Sequence, residues 1–482
     1  MKSVRRSIAL SFLENYTTLF ISFVSSVIIA RILTPHDIGV FSIGIAIVGM
    51  AHMLRDFGIG QYLIQEKELT PEGIQAAFSL TLVIAWALAL VIFLAGGPVS
   101  RLYESSEVWN VMSVLSVNFL LIPFGSVTMA VLRRQMDFLR LYWIKTSAAL
   151  AHAGVAIGLA FLGYGYLSLA LASTSGILAT VVVCALVRPR GLPWKPGFSG
   201  LKHVLRFGSY VTGGRLATEL GNAFPELVIG KAIDIPSVGI FGRAMGLIDL
   251  FNRAFVNAVW SVMLPHFADV ARKEGSLKES FLQSVRLTTA VAWPFFTFMG
   301  LMAFPLVRAL YGDQWDASVP LVRILCVWGG LGAMFFGYSQ LVTAMGLPRI
   351  LAQVEVLGAV LKTAFIAATV FFGLVWVAVG LILWRLVMNY VMFRNLAKLV
   401  ALQARELFRA LGKSAALSAA TAAGPLFALL VLGGGNVFFQ VLLALPLAVL
   451  GWLAAAFGLK HELAGEISYL AARLRVACRR AL

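Results

Sequence analysis

RILTPHDIGVFSIG, running from Arg31 to Gly44, returns 200 positions later as KAIDIPSVGIFGRAMG, from Lys231 to Gly246. Each copy has a basic residue, an apolar pair and a proline-bearing turn, followed by Gly-Val-Phe or Gly-Ile-Phe at the same register. The phrase predicts a helix, a tight turn and a second helix, written twice. A second pair answers at a similar offset: RLYESSEVWNVMSVLSVNFLLIPFG (101–125) and RALYGDQWDASVPLVRILCVWGGLG (308–332). In both, a tyrosine and an acidic loop lead into a long apolar run. The chain therefore carries an internal duplication, and what separates the copies decides the architecture.

Composition says what lies between them. Sixty per cent of the 482 residues are hydrophobic and 13% are charged, with a mean hydropathy of +0.88. Apolar runs of about 20 residues, the depth of a bilayer core, recur along nearly the whole chain. The fold class expected is an all-α polytopic membrane protein with about fourteen transmembrane helices. The N-terminal MKSVRRSIALSFLENYTTLF has a long apolar run, Glu14 and Asn15, and no small-residue cleavage site, so it reads as the first span rather than a signal peptide. Six spans separate corresponding positions of the repeat. An even number keeps the copies in one orientation, which makes this a parallel repeat of two six-helix lobes, with two further helices appended.

The net charge of +17 follows the same topology. Basic clusters at Lys2/Arg5/Arg6, Arg133/Arg134/Arg140, Arg188/Arg190/Lys195/Lys202, Arg272/Lys273/Lys278, Lys398/Arg405/Arg409/Lys413 and Arg473/Arg475/Arg479/Arg480 fall on one side of the alternating spans. Only Arg31, Arg101, Lys231 and Arg308 fall on the other. Positive charge collects on the cytoplasmic side, so both termini are expected there, and the basicity is not a nucleic-acid signature. The expected organisation is an N-lobe over 1–187, a Pro/Gly/basic linker over 188–203 and a C-lobe over 204–396. An amphipathic cytoplasmic helix follows over 397–413, with Lys398, Arg405 and Arg409 opposite Leu396, Leu399, Val400, Leu407 and Leu411. Two spans over 414–458 and a basic tail over 459–482 complete the chain. Cys184, Cys326 and Cys478 are far apart and no H-E-x-x-H occurs, so no disulfide frame, metal site or cofactor is expected. Gly412-Lys413-Ser414 imitates a nucleotide loop, but Leu407 stands where its first glycine belongs, so no ATP site is expected.

Charges inside the membrane cost about 2.5–3.5 kcal/mol each, so they should face protein or water. At 100° per residue, span seven carries Thr212, Arg215, Glu219, Asn222 and Glu226 on one face, and span eight carries Arg243, Gly246, Asp249, Arg253 and Asn257. Span one aligns Ser11, Glu14, Asn15, Thr18, Ser22, Ser25 and Ser26, and span two aligns Ser42, Gly49, His52 and Asp56 with Arg55 at the edge. These are the first two spans of each lobe, which is the work expected of the duplication: paired polar stripes enclosing a hydrated passage. Arg55, Arg215, Arg243 and Arg253, with His52, Asn15, Asn222 and Asn257, suit an anionic passenger because guanidinium forks match phosphate oxygens. Glu14, Asp56, Glu219, Glu226 and Asp249 are candidates for a coupling proton or ion. The bland alternative is that Arg215/Glu219, His52/Asp56 and Asp249/Arg253, all i,i+4, satisfy themselves within their helices. Pro123, Pro225 and Pro294 are candidate hinges.

ARILTPHDIGVFSIGIAIVGM, LRDFGIGQYLIQEKELTPEGIQAAF, LVIGKAIDIPSVGIFGRAMGL and LYGDQWDASVPLVRILCV…AMGLPR resemble the polysaccharide transporter branch of the multidrug/oligosaccharidyl-lipid/polysaccharide (MOP) flippase superfamily. The resemblance runs from about residue 10 to 400. It implies two six-helix lobes in a V, with spans 1, 2, 7 and 8 lining the cavity, in the bacterial inner membrane. It also implies flipping of polyprenyl-phosphate-linked oligosaccharide for O-antigen, capsule or exopolysaccharide synthesis. Arg55 in HMLRDFG and Arg253 in FNRAF would serve the phosphate-bearing head group; span one departs, with Glu14 and Asn15 where a basic residue would stand. Membrane lipids, a polysaccharide polymerase and export machinery would be partners. Two other readings remain at this level: a cation-coupled multidrug exporter, and a membrane polysaccharide polymerase or glycosyltransferase. The arginines disfavour the first and the short outside loops the second, so no enzyme is expected.

Overall fold

The computed structural model describes residues 2–56, 58–189, 192, 196–197, 221 and 223–468, and every regular element among them is helical. Ten helices among the described residues are long and apolar enough to cross a membrane, or twelve if each of two bent pairs forms one span. The expected seventh span falls largely on 204–220, outside the described residues, as do the core of the 188–203 linker and the tail beyond 468. The chain divides into two compact units, Met1–Gly242 and Arg243–Leu482.

The first unit begins with α1 (Lys2–Ile32), α2 (Pro35–Asp56) and the short α3 (Ile59–Gln65). α4 (Pro71–Tyr103), α5 (Ser106–Leu121), α6 (Pro123–Arg134), α7 (Phe138–Phe161) and α8 (Tyr166–Leu186) follow. A helix over 223–232, α9, and the first turns of α10 (Ile235–Phe251) complete it. Local chemistry sets the starts. Asp137 caps α7, accepting from the Arg140 N–H at 3.2 Å, and Thr70 caps α4, accepting from Gly73 N–H at 3.1 Å just before Pro71. Pro123 ends a straight run, and α5 and α6 meet at 52°. Pro294 lies inside the continuous α12 (Leu277–Leu301), so of these two prolines only Pro123 marks a bend.

The duplicated phrase folds twice in the same way. Ahead of α2, Thr34 and Asp37 cap reciprocally: Thr34 N–H donates to Asp37 Oδ2 at 3.0 Å, and Asp37 N–H to Thr34 Oγ1 at 3.2 Å. Ahead of α10, Asp234 Oδ1 accepts from Ser237 N–H at 2.7 Å. The two helices then cross at equivalent glycines. A Cβ on Gly39 would lie 2.0 Å from the Ile235 carbonyl oxygen, and one on Gly239 2.1 Å from that of Pro35. Only hydrogen fits at either point, so the glycine of Ile-Gly-Val-Phe and Val-Gly-Ile-Phe is what lets the copies touch backbone to backbone.

In the second unit α10 continues into a π-turn, Asn252–Val256, and then α11 (Asn257–Arg272). α12 and α13 (Ala303–Leu310) meet at 75°. α14 (Val319–Ala333), α15 (Tyr338–Ala344), α16 (Pro348–Thr369), α17 (Leu374–Leu399), α18 (Ala404–Val431) and α19 (Val437–Gly458) follow. The amphipathic segment expected over 397–413 is not a separate helix. Its first residues end α17, Ala401 takes a positive φ of 53°, and the rest opens α18 through a capping box of Gln403 and Glu406. The reason is that its apolar side is used by protein: Leu396, Leu402, Leu407, Ala410 and Leu411 enter the core of this unit with Phe267 and Phe281, while Lys398, Arg405 and Arg409 stay exposed.

Candidate functional site

Both repeat helices are interrupted at one register. α2 stops at Asp56, and Gly58, at φ 63°, turns the chain into α3. The π-turn at Asn252–Val256 falls the same distance into the second copy. Such interruptions leave backbone groups outside the regular ladder and occur often at functional positions. In each case an arginine sits at the break, Arg55 or Arg253.

The first break opens onto a cavity of about 600 Å³ inside the first unit. His52 and Arg55 of α2, Gln61 of α3, Thr81 of α4, Ser126 and Arg133 of α6, and Thr180 of α8 give it polar groups; Ile59, Leu63, Ile122 and Val181 are among its apolar walls. Arg55 Nη1 lies 3.1 Å from His52 Nδ1. Arginine can only donate, so the imidazole offers a lone pair there and its proton sits on Nε2. The His52 ring also stacks on Phe119 at 4.6 Å, which fixes the imidazole and through it the guanidinium. The expected His52/Asp56 pairing involves the side chain of Asp56, which lies outside the described residues. No carboxylate is among the described residues that line the cavity.

At the second break Asn252 Nδ2 donates to Asp249 Oδ1 at 3.1 Å. Arg253 is exposed and makes no ion pair or hydrogen bond among the described residues, so the Asp249/Arg253 pairing expected within the helix is not formed. Arg243 is held elsewhere in its unit, its guanidinium 5.3 Å from the Tyr311 ring and 5.2 Å from that of Trp315. Glu14 is 6% exposed and forms an ion pair with Lys145 of α7, whereas Asn15 beside it is exposed. The span-one stripe thus splits into a face packed on α7 and a face left open. Glu226 is half-buried in α9. Arg215, Glu219 and Asn222, and the side chain of Asn257, lie outside the described residues.

Three participants were not singled out from sequence. Lys145 pairs with Glu14, Arg133 joins the cavity, and the π-turn breaks α10 from α11. A lysine seven residues into an apolar helix was the available signal for the first, since such a charge needs a partner. Nothing in the residue types announces a π-turn.

Comparison with known proteins follows from this geometry. Residues 28–320 match a family described as polysaccharide biosynthesis protein. A succinoglycan biosynthesis transport protein of Rhizobium meliloti (strain 1021) is 28% identical over 342 residues, 68% of this chain and 67% of that one. A lipopolysaccharide biosynthesis protein of Escherichia coli (strain K12) is 23% identical over 315 residues, 64% and 63% of the two chains. The match therefore spans about two thirds of the length of these curated relatives. Among solved structures, the lipid II flippase MurJ in an inward closed conformation aligns with 95% of this chain and 99% of its own at TM-score 0.76 and 11% identity. An inward-facing multidrug resistance MATE family transporter of the MOP superfamily aligns with 80% and 94% at TM-score 0.66 and 16% identity. At these identities the two structures establish the fold.

Proposed function

This chain belongs to the polysaccharide biosynthesis protein family, and from that premise we propose that it carries polyprenyl-phosphate-linked oligosaccharide from the cytoplasmic to the outer leaflet of the bacterial inner membrane. It does so by alternating access of its two lobes, with both termini in the cytoplasm and without ATP or a catalytic step. The observation that carries the reading is the cavity at the α2–α3 break, where Arg55 and His52 stand among apolar walls with no described carboxylate. A phosphate joined to a prenyl chain has this mixture of demands, an anion beside hydrocarbon. An organic-cation exporter would want acidic or aromatic groups there. Arg253 at the second break offers a guanidinium of the same kind in the other unit, and Arg215 belongs to the same set by sequence. Asp249 and Glu226 are the coupling candidates favoured; Glu14 is committed to Lys145. Polymerase and export proteins would receive the product.

The test is the sidedness of lipid-linked oligosaccharide in cells lacking the protein, and in cells carrying Arg55→Ala. Accumulation on the cytoplasmic leaflet in both is expected. Normal arrival at the outer leaflet in the deletion strain, with no redundant flippase present, would overturn the proposal.

A further inference from the structure

α14 carries a charge that nothing in the protein answers. Arg323 lies four residues past Val319, where α14 begins, about 6 Å along the helix at 1.5 Å per residue. It is exposed and makes no hydrogen bond or ion pair among the described residues. The acid nearest to it in sequence, Asp316, is taken by Arg308 through three hydrogen bonds of 2.6, 3.0 and 3.1 Å. A charge within a span costs about 2.5–3.5 kcal/mol at the membrane centre. Near a helix end the ordinary remedy is to snorkel toward the interface, and that would need no purpose beyond solvation. What stands beside Arg323 argues for more.

Arg323 lines a groove of about 440 Å³ between α12 and α14, with Ser418 of α18 beside it. Phe296, Leu301, Val327 and Leu331 are its apolar walls, and Val327, 54% exposed, lies along its open side. Glycines keep it clear: a Cβ on Gly330 would meet nothing nearer than Trp293 at 3.8 Å, and one on Gly300 nothing nearer than Cys326 at 3.6 Å. From Arg323 to Gly330 the groove follows α14 for about 10 Å. The polar side chains deeper in are committed to protein. Thr297 and Ser418 share a hydrogen bond of 2.6 Å, and Trp293 Nε1 donates to the Gly330 carbonyl at 2.9 Å. Arg323 is the one charged group among the described residues that line it. The groove is thus apolar along its length, with an unanswered cation at one end.

We propose that this groove binds one anionic phospholipid, its phosphate on the Arg323 guanidinium and one acyl chain laid between α12 and α14. A guanidinium fork gives a phosphodiester paired, charge-assisted donors, and the phosphate supplies the counter-charge that the protein withholds. A zwitterionic head group would bring a second cation to the same place, so the site selects net negative charge. The chain takes the apolar walls, and by touching Ser418 as well it bridges α12, α14 and α18. The site does not depend on the transport reading. The topology of that reading adds only that the lipid comes from the outer leaflet.

The purified full chain in detergent micelles, where there is no leaflet, is titrated with dioleoyl phosphatidylglycerol and with dioleoyl phosphatidylcholine, and the first bound lipid is followed by native mass spectrometry. The wild type is expected to bind phosphatidylglycerol about 10-fold or more tightly than phosphatidylcholine. Arg323→Gln is expected to weaken phosphatidylglycerol by about 10- to 100-fold, the worth of a charge-assisted contact, and to leave phosphatidylcholine unchanged. Arg323→Lys, which keeps the charge without the fork, should fall between. Arg349→Gln removes an exposed arginine in the first turn of α16 that is not part of the groove, and should match the wild type. Gly330→Leu places a side chain in the groove and should weaken both lipids. Thermal unfolding of Arg323→Gln without added lipid should equal the wild type, since no bond is lost. Phosphatidylglycerol binding by Arg323→Gln equal to wild type, an equal loss in Arg349→Gln, or unaltered binding by Gly330→Leu would each overturn the proposal. Normal sidedness of lipid-linked sugar in deletion cells would remove the transport reading and leave this site standing.

Discussion

Replacing Gly39 by alanine tests whether the duplicated helices meet as closely as the structure has them. In an exposed helix interior this change gains about 0.8–1.0 kcal/mol, because alanine loses less backbone freedom. At Gly39 the new methyl would sit 2.0 Å from the Ile235 carbonyl oxygen and 2.8 Å from its carbon. Backbone cannot rotate aside, so the helices must part by about 1 Å to restore even a tight contact. Overpacking of this kind costs about 1–3 kcal/mol, and an obstacle made of main chain argues for the upper end. The net expectation is a loss of about 2 kcal/mol, after the propensity gain is subtracted. Gly239→Ala meets the Pro35 carbonyl oxygen at 2.1 Å and should behave alike. The same helices supply their own controls, Gly49 and Gly246, whose added methyl would meet nothing within 4 Å. Thermal unfolding of the purified protein should place Gly39→Ala and Gly239→Ala about 2–4 °C below wild type, with Gly49→Ala and Gly246→Ala at or above it. The double variant should lose less than the sum, since one separation relieves both clashes. Gly39→Ala as stable as Gly49→Ala would refute the close crossing.

Glu14→Gln should cost about 1–3 kcal/mol, less than a fully buried pair because the Lys145 side chain is 40% exposed; thermal unfolding of Glu14→Lys/Lys145→Glu should recover part of the loss if the pair is real. Arg253→Ala should leave stability within about 0.5 kcal/mol, having no described partner to lose, while reducing transfer of lipid-linked sugar in the sidedness assay; unaltered transfer removes Arg253 from the passage. His461 is 2% exposed, its Nδ1 accepts from Leu463 N–H at 3.1 Å, and burial holds its pKa below the usual 6.5. The folded state then binds fewer protons than the unfolded one, so stability is complete above pH 6.5 and falls as pH drops from there toward the lowered value. His461→Asn keeps an acceptor without a titrating group, and its melting temperature should lose less between pH 7.5 and 5.5 than that of the wild type.

The helices were legible because their signal is local and long. Apolar runs, the alternation of basic loops and the paired phrases at 31 and 231 all lie along the chain. His52 and Arg55 were legible for a related reason, since a charge in an apolar helix needs an explanation and the two lie one turn apart. What sequence could not supply was the partner. Glu14 reads as a cavity acid on a helical wheel, and only the packing of α1 on α7 brings Lys145, 131 positions away, to its carboxylate. Arg243 belongs to the same stripe as Arg253 by angle, yet Tyr311 and Trp315 take its guanidinium. A wheel gives direction from one axis; which neighbour fills that direction is a tertiary fact. The amphipathic 397–413 segment shows the same limit, since an apolar stripe does not say whether lipid or protein covers it.

The two breaks show what the duplication has kept. Gly58 has no counterpart, because position 258 is alanine, and the second copy reaches its interruption through a π-turn instead. The residues differ and the register survives. Close crossing at Gly39 and Gly239 requires only straight helix starts, so packing there gives no reason to disrupt either helix more than a dozen residues later. The shared feature at the breaks is an arginine, and the surroundings differ between copies. Arg55 is held by a histidine that is itself stacked on Phe119; Arg253 is exposed, and the Asn252 that answers His52 bonds to Asp249 instead. One arginine is oriented before any ligand arrives and the other is left to move. An oriented guanidinium loses less entropy on binding, so Arg55 is the better prepared of the two arginines to hold an anion.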